Sequence, residues 1–155
     1  MKQLKLFKEN YKTEFGGTLL SGKRKSKRPL NTKLPIHLVL RADITNSGTL
    51  LQWQTLIKHQ IQKWSQKFSI TICERAIVGN HIHLLITFNT RESYNNFARA
   101  LAGALAQKTK LKWTTRPFTR IVKPGKDFQN VSKYVIQNQL EAWRILAYKE
   151  RAPAG

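Results

Sequence analysis

The stretch VGNHIHLLITF, residues 78–88, decides the fold. His81, His83, Leu85 and Thr87 alternate with Ile82, Leu84 and Ile86, which is the period-two pattern of a strand whose two faces meet different surroundings. Gly79 and Asn80 form a turn signal just before it. A second strand is expected over about residues 69–77, so the two read as a hairpin.

The pattern extends in both directions. Upstream, from Pro35, Ile36, Leu38 and Leu40 alternate with His37, Val39 and Arg41, again a strand. Between that strand and the hairpin, Leu50, Trp53, Ile57, Ile61, Trp64 and Phe68 recur at spacings of three and four, one face of an amphipathic helix. Downstream, Tyr94, Phe97, Leu101 and Leu105 mark a second helix, with Ala98, Ala102, Gly103 and Ala104 small enough to permit close packing. PFTRIV, residues 117–122, reads as a fourth strand closed by Pro124 and Gly125, and a last helix runs from Asp127 to about Trp143. The order is βαββαβ plus one helix. This predicts an α+β fold, a ferredoxin-like antiparallel sheet with two helices on one face and an additional C-terminal helix.

A chain of 155 residues supports one domain with a real core. Its 28 Lys and Arg against 8 Asp and Glu give a net charge of +20, which attracts polyanions, nucleic acid first among them. No apolar run approaches the roughly 20 residues that span a bilayer, and the amino end lacks a signal-peptide pattern. A cytoplasmic protein is expected. Cys73, the single cysteine, reads as a buried reduced thiol in a strand. Residues 1–33, with the basic run KRKSKR at 23–28, read as a basic arm, 34–147 as the folded domain and 148–155 as a tail.

Residues two apart in a strand share a face, so His81 and His83 lie about 6.6 Å apart on one side and Ile82, Leu84 and Ile86 on the other. If the first two helices cover the Ile82 face, the histidines look out on the opposite face, beside His37 and Arg41, where the last helix can dock. Two imidazoles so placed can grip a divalent cation, although an isolated His-x-His also suits two hydrogen-bonded structural histidines. On the last helix, Phe128, Val131, Val135 and Ala142 form the apolar stripe, with Asp127, Tyr134, Asn138 and Glu141 along one flank. Tyr134 and Asn138 are one turn apart, so both approach the same partner. An amide oxygen is a competent third ligand, and a phenol is a competent nucleophile. The plainer reading of Tyr134 is a core-edge ring with a wet hydroxyl. A cation held by His81, His83 and Asn138 would polarise a phosphoryl oxygen for attack by Tyr134. The phenol's ordinary pKa near ~10 calls for a base, and none is evident in the sequence.

NHIHLLI resembles the histidine-hydrophobe-histidine motif of the HUH endonucleases, and YVIQN resembles the tyrosine helix of their single-tyrosine transposase branch. RPLNTKLPIHLVLR, RPFTRIV and YVIQNQLEA are similar to segments of the REP-associated tyrosine transposases, and the likeness covers most of residues 16–144. It implies a metal-dependent single-stranded DNA endonuclease and strand transferase with a Mg or Mn ion. The implied substrates are REP-type palindromic hairpins, cleaved to a 5′-phosphotyrosine and a free 3′-hydroxyl. It matches His81 and His83 to the metal pair, Tyr134 to the nucleophile and Asn138 to the polar residue completing the site. Many relatives continue Asn-Pro, where this chain has Asn138-Gln139, which leaves the end of the helix open. The likeness also implies a monomer, with a dimer as the other possibility, in a bacterial cytoplasm at the nucleoid.

DNA contacts are expected from Lys23, Arg24, Lys25, Lys27 and Arg28 in the arm, and from Arg41, Arg116, Arg120, Lys123 and Lys126 near the site. Trp113 is a candidate for base stacking, though a core position is commoner for tryptophan. The alternative is a non-catalytic single-stranded DNA or RNA binding module, but the outward positions of the 81–87 strand carry no stacking aromatics. A two-metal carboxylate nuclease is disfavoured by the eight acidic residues, which form no cluster of three. A metal-sensing or structural protein would leave the charge unexplained.

Overall fold

The computed structural model describes residues 13–20, 26–45 and 48–149. Strand β2 (Ile36–Asp43) lies near the middle of the sheet, because both of its edges are paired. On one side it runs antiparallel to β4 (His81–Thr87), which pairs in turn with β3 (Thr71–Ile77). On the other side it meets β6 (Phe118–Ile121). The order β6-β2-β4-β3, all antiparallel, is that of a split βαβ unit, as the alternating pattern predicts. Two short strands extend the six-stranded sheet: β1 (Glu14–Phe15) joins the outer edge of β6, and β5 (Lys112–Trp113) pairs with the end of β2. Two-residue strands carry no readable period, which is why the sequence does not announce them.

Helices α1 (Gln54–Lys67) and α2 (Arg91–Thr109) lie on one face. The main core there joins Ile36, Leu38, Leu40, Ile82, Leu84 and Ile86 of the strands to Ile57, Ile61, Phe97 and Leu101 of the helices. Each of these large side chains contributes about 1.5–3 kcal/mol on burial. Thr90 caps α2, its hydroxyl accepting from the Ser93 N–H at 3.0 Å. The expected close approach at Gly103 is absent, since nothing stands within 4 Å of where its Cβ would be.

Helix α3 (Lys126–Ala142) covers the other face. Val131 and Val135 pack there on Ala76, Leu85 and Val122, with Phe128, Tyr134 and Cys73 at the margin. Cys73 is half-buried at an irregularity in the β3 ladder, and burial raises its thiol pKa. No helix among the described residues is long and apolar enough to cross a membrane.

The stretch expected as an arm enters the sheet where it is described. Gly16 adopts φ +86°, and a Cβ there would collide with the Pro117 carbonyl oxygen. The glycine thus lets β1 close against β6. Arg28 folds inward on the α1/α2 face: its Nη1 donates to Thr119 Oγ1 at 2.8 Å, and its guanidinium lies 4.6 Å from the Phe15 ring centre.

Candidate active site

The sheet register sets the neighbours of each histidine on the face under α3. Arg41 stands directly opposite His81. His83 lies between Val39 on β2 and Ala76 on β3, and the small alanine leaves room beside the ring. His37 is opposite Leu85 on one side and Arg120 on the other, so it sits on the diagonal from His83, within reach for a ring.

The three imidazoles form a connected group. His37 Nε2 and His83 Nδ1 are 3.0 Å apart, with the rings stacked at 16°. The His81 and His83 rings meet edge to face at 4.5 Å between centres, and His81 Nδ1 lies 2.6 Å from Asn80 Oδ1. His37 and His83 are almost wholly buried. Burial, reinforced by Arg120 and His81, lowers the His37 pKa to about 4; burial and then Arg41 lower that of His81 to about 4. Both are therefore neutral at pH 7, the form in which imidazole ligates a metal.

Helix α3 brings Tyr134 over this group, its ring edge-on at 5.5 Å from His83 and 6.0 Å from His37. Asn138 Nδ2 donates to the Tyr134 carbonyl at 2.7 Å, which orients the amide one turn below the phenol. The sequence-predicted residues His81, His83, Tyr134 and Asn138 thus come together at one place. Two clefts flank them. One of about 230 Å³ is lined by His37, Arg120, Asn130, Val131 and Tyr134. The other, of about 310 Å³, includes His81, Asn138, Glu141 and Tyr148.

Two ties fix the helix. Gln139, which stands where proline was the comparison, continues α3 and clamps it to the end of β3: the Ile77 N–H donates to Gln139 Oε1 at 2.8 Å, and Gln139 Nε2 donates to the Ile77 carbonyl at 3.1 Å. At the amino end, Arg120 grips Asp127 through two bonds of 3.2 and 2.9 Å, and Asp127 also accepts from the Lys123 N–H. The hydrogen bond from Arg120, before all else, holds the Asp127 carboxyl below its ordinary pKa.

The predicted DNA contacts divide. Lys23, Arg24 and Lys25 lie outside the described residues. Lys27, Arg116, Lys123 and Lys126 are exposed, Arg41 is half-buried beside His81, and Arg120 lines the tyrosine cleft while paired to Asp127. Arg28 is engaged on the opposite face of the sheet. Trp113 packs on the main core and donates from Nε1 to the Ala102 carbonyl at 2.9 Å, a structural position. The sequence places His37 on a face and no further; its bond to His83 needs the register between two strands, which the sequence does not carry.

The residues fit a cation. Both paired rings have Nδ1 within hydrogen-bond distance of a partner, which leaves Nε2 as the ring atom not used in those contacts, and the Asn138 amide could offer an oxygen. Among the described residues, His, Cys, Asp and Glu form no cluster of three or more able to hold a metal by themselves. A cation held here would therefore need oxygen from the amide, water or phosphate to complete its shell.

Comparison with known proteins follows the same lines. Among solved structures, the fold is similar to a protein described as a REP-associated tyrosine transposase bound to a REP hairpin, with a TM-score of 0.60 and 15% identity. That match covers 76% of this chain and 73% of the other. A candidate transposase from Deinococcus radiodurans R1 is 16% identical with a TM-score of 0.48, over 75% of this chain and 98% of that one. No curated protein sequence matches the chain. Residues 31–139 match the family described as "Transposase IS200 like". That span takes in the whole βαββαβ core, the histidine pair, Tyr134 and Asn138, and the chain belongs to the IS200-like transposase family.

Proposed function

We propose that the chain is a metal-dependent single-stranded DNA endonuclease and strand transferase of the HUH single-tyrosine type, acting on palindromic hairpin DNA of the REP kind. The observation that carries this reading is the convergence of Tyr134 on the His81–His83 pair, with Asn138 one helical turn away. The hairpin in the structural neighbour's description and the +20 charge support the choice of substrate.

His81, His83 and Asn138 would hold the cation, and Mg or Mn suits a shell completed by oxygen. When bound, it supplies Lewis-acid polarisation of a phosphoryl oxygen and stabilises charge during displacement. The chain's own residues do the rest. Tyr134 Oη attacks phosphorus, forming a Tyr134–phosphate ester as the bond from phosphorus to the 3′-oxygen breaks. That oxygen takes up a proton and departs as a 3′-hydroxyl, while the phenol's proton passes to solvent. Arg120, in the cleft beside Tyr134, is placed to orient the phosphate, and its tie to Asp127 holds it there. Attack by another 3′-hydroxyl on the ester reverses the step and joins strands, because bond energy is kept in the ester.

The test is a labelled hairpin oligonucleotide incubated with the protein and Mg or Mn, resolved on a denaturing gel. A covalent adduct is expected from the wild type, lost in Tyr134→Phe and on chelation. Binding on a native gel with no adduct under any metal would favour the non-catalytic module.

A further inference from the structure

Neither the family match nor the proposed chemistry assigns a role to His37, which is buried, neutral and hydrogen-bonded to one of the proposed ligands. Resting on the reading of His81 and His83 as a cation site, we infer that His37 is a positioning residue: its Nε2 accepts the Nδ1–H of His83 and so holds His83 in the tautomer whose Nε2 carries the lone pair.

A neutral imidazole has one N–H and one acceptor nitrogen, so a 3.0 Å contact between His37 Nε2 and His83 Nδ1 needs one proton between the two atoms. There are two ways to place it. If His37 donated, His83 would carry its proton on Nε2 and could not ligate through that atom. If His83 donates, its Nε2 becomes the ligating atom and His37 keeps its own proton on Nδ1. Protonating both rings is opposed by burial at 3% and 1% exposure and by Arg120 directly across from His37. Losing the contact would strand a polar atom in the interior.

His81 supplies an independent check on the logic. Its Nδ1 faces Asn80 Oδ1 at 2.6 Å, and a carbonyl oxygen only accepts, so the proton sits on Nδ1 and the lone pair on Nε2. With His37 as acceptor, both rings of the pair present the same nitrogen. A second group that fixes the tautomer of a metal-binding histidine contributes about 10- to 100-fold to metal affinity. Here the acceptor is an imidazole from the neighbouring strand rather than a carboxylate.

The experiment uses the full chain. In the metal-free wild type, long-range proton–nitrogen NMR of labelled histidines is expected to show His83 protonated on Nδ1 and bare on Nε2. Protonation on Nε2 overturns the inference whatever the variants do. Calorimetric titration with Mn then compares His37→Leu, which removes the acceptor, with His37→Gln, whose amide oxygen restores one. A 10- to 100-fold weakening in the first and recovery to within a few-fold in the second is expected, and equal affinity in wild type and His37→Leu overturns the role. Should the wild type itself take up no Mn, the cation site falls, and the inference with it.

Discussion

Two imidazoles held near pKa 4 inside a fold make that fold sensitive to acid. The unfolded chain binds these protons better, with ordinary values near 6.5, so each group contributes its full stability above about pH 6.5 and loses it as pH falls toward 4. The cations facing them oppose protonation, Arg41 opposite His81 and Arg120 opposite His37, and burial outweighs the Asn80 amide oxygen and the Glu141 carboxylate on the His81 side. Stability should fall by up to about 1.4 kcal/mol per pH unit per group across that window. Asp127 works in the same direction but lower, since its depressed carboxyl loses its contribution only as pH drops through the folded pKa, below the ordinary 3.8. Thermal midpoints measured from pH 7 to 4 should therefore decline well before carboxylates titrate, and His37→Gln should flatten the decline; a curve flat from pH 7 to 5 would contradict the burial of both neutral rings. The shared face of His81 and His83 was legible because residues two apart in an unbroken strand point the same way. The diagonal from His37 to His83 was not, because a one-residue change of register would place them on opposite faces.

Helix α3 matters for how it is held as much as for what it carries. Val131 and Val135 supply an apolar contact that any amphipathic helix could make, and such a contact permits sliding. Gln139 removes that freedom by matching both polar groups of Ile77 at the edge strand. Replacing it with leucine leaves a buried N–H and carbonyl unmatched, at about 1–3 kcal/mol for each. Urea denaturation should show Gln139→Leu destabilised by on the order of 2 kcal/mol or more. Gln137→Leu, which gives up only a half-buried bond to Glu141, should stay within about 0.5 kcal/mol. Equal effects at the two positions would mean the clamp contributes nothing. The helix itself, its length and its apolar stripe were legible from period 3.6. The clamp was hidden because a single amide within a helix has no period, and its partner lies 62 residues away on a backbone edge.

At the scale of the molecule, +20 is too blunt a number to say where DNA lies. Lysines and arginines look alike in a sequence, and only the fold separates those facing water from those bound inside. Arg28 shows the difference: it donates to Thr119 and lies against Phe15, so its loss removes packing as well as charge. Lys123 and Lys126 are exposed beside the start of α3, next to Asp127, which ties to Arg120 of the tyrosine cleft. Phosphate contacts on a single strand each contribute about 0.7 to the slope of log affinity against log salt. The double variant Lys123→Ser and Lys126→Ser should therefore reduce that slope by about 1.4 with little change in thermal midpoint. Arg28→Ala should do the reverse, lowering the midpoint and leaving the slope intact. Fluorescence anisotropy with a labelled hairpin between 50 and 200 mM salt, at a temperature where every variant is folded, reads both. A slope that drops with Arg28 and holds without the two lysines would move the DNA path to the α1/α2 face, away from Tyr134, and would separate binding from the proposed chemistry.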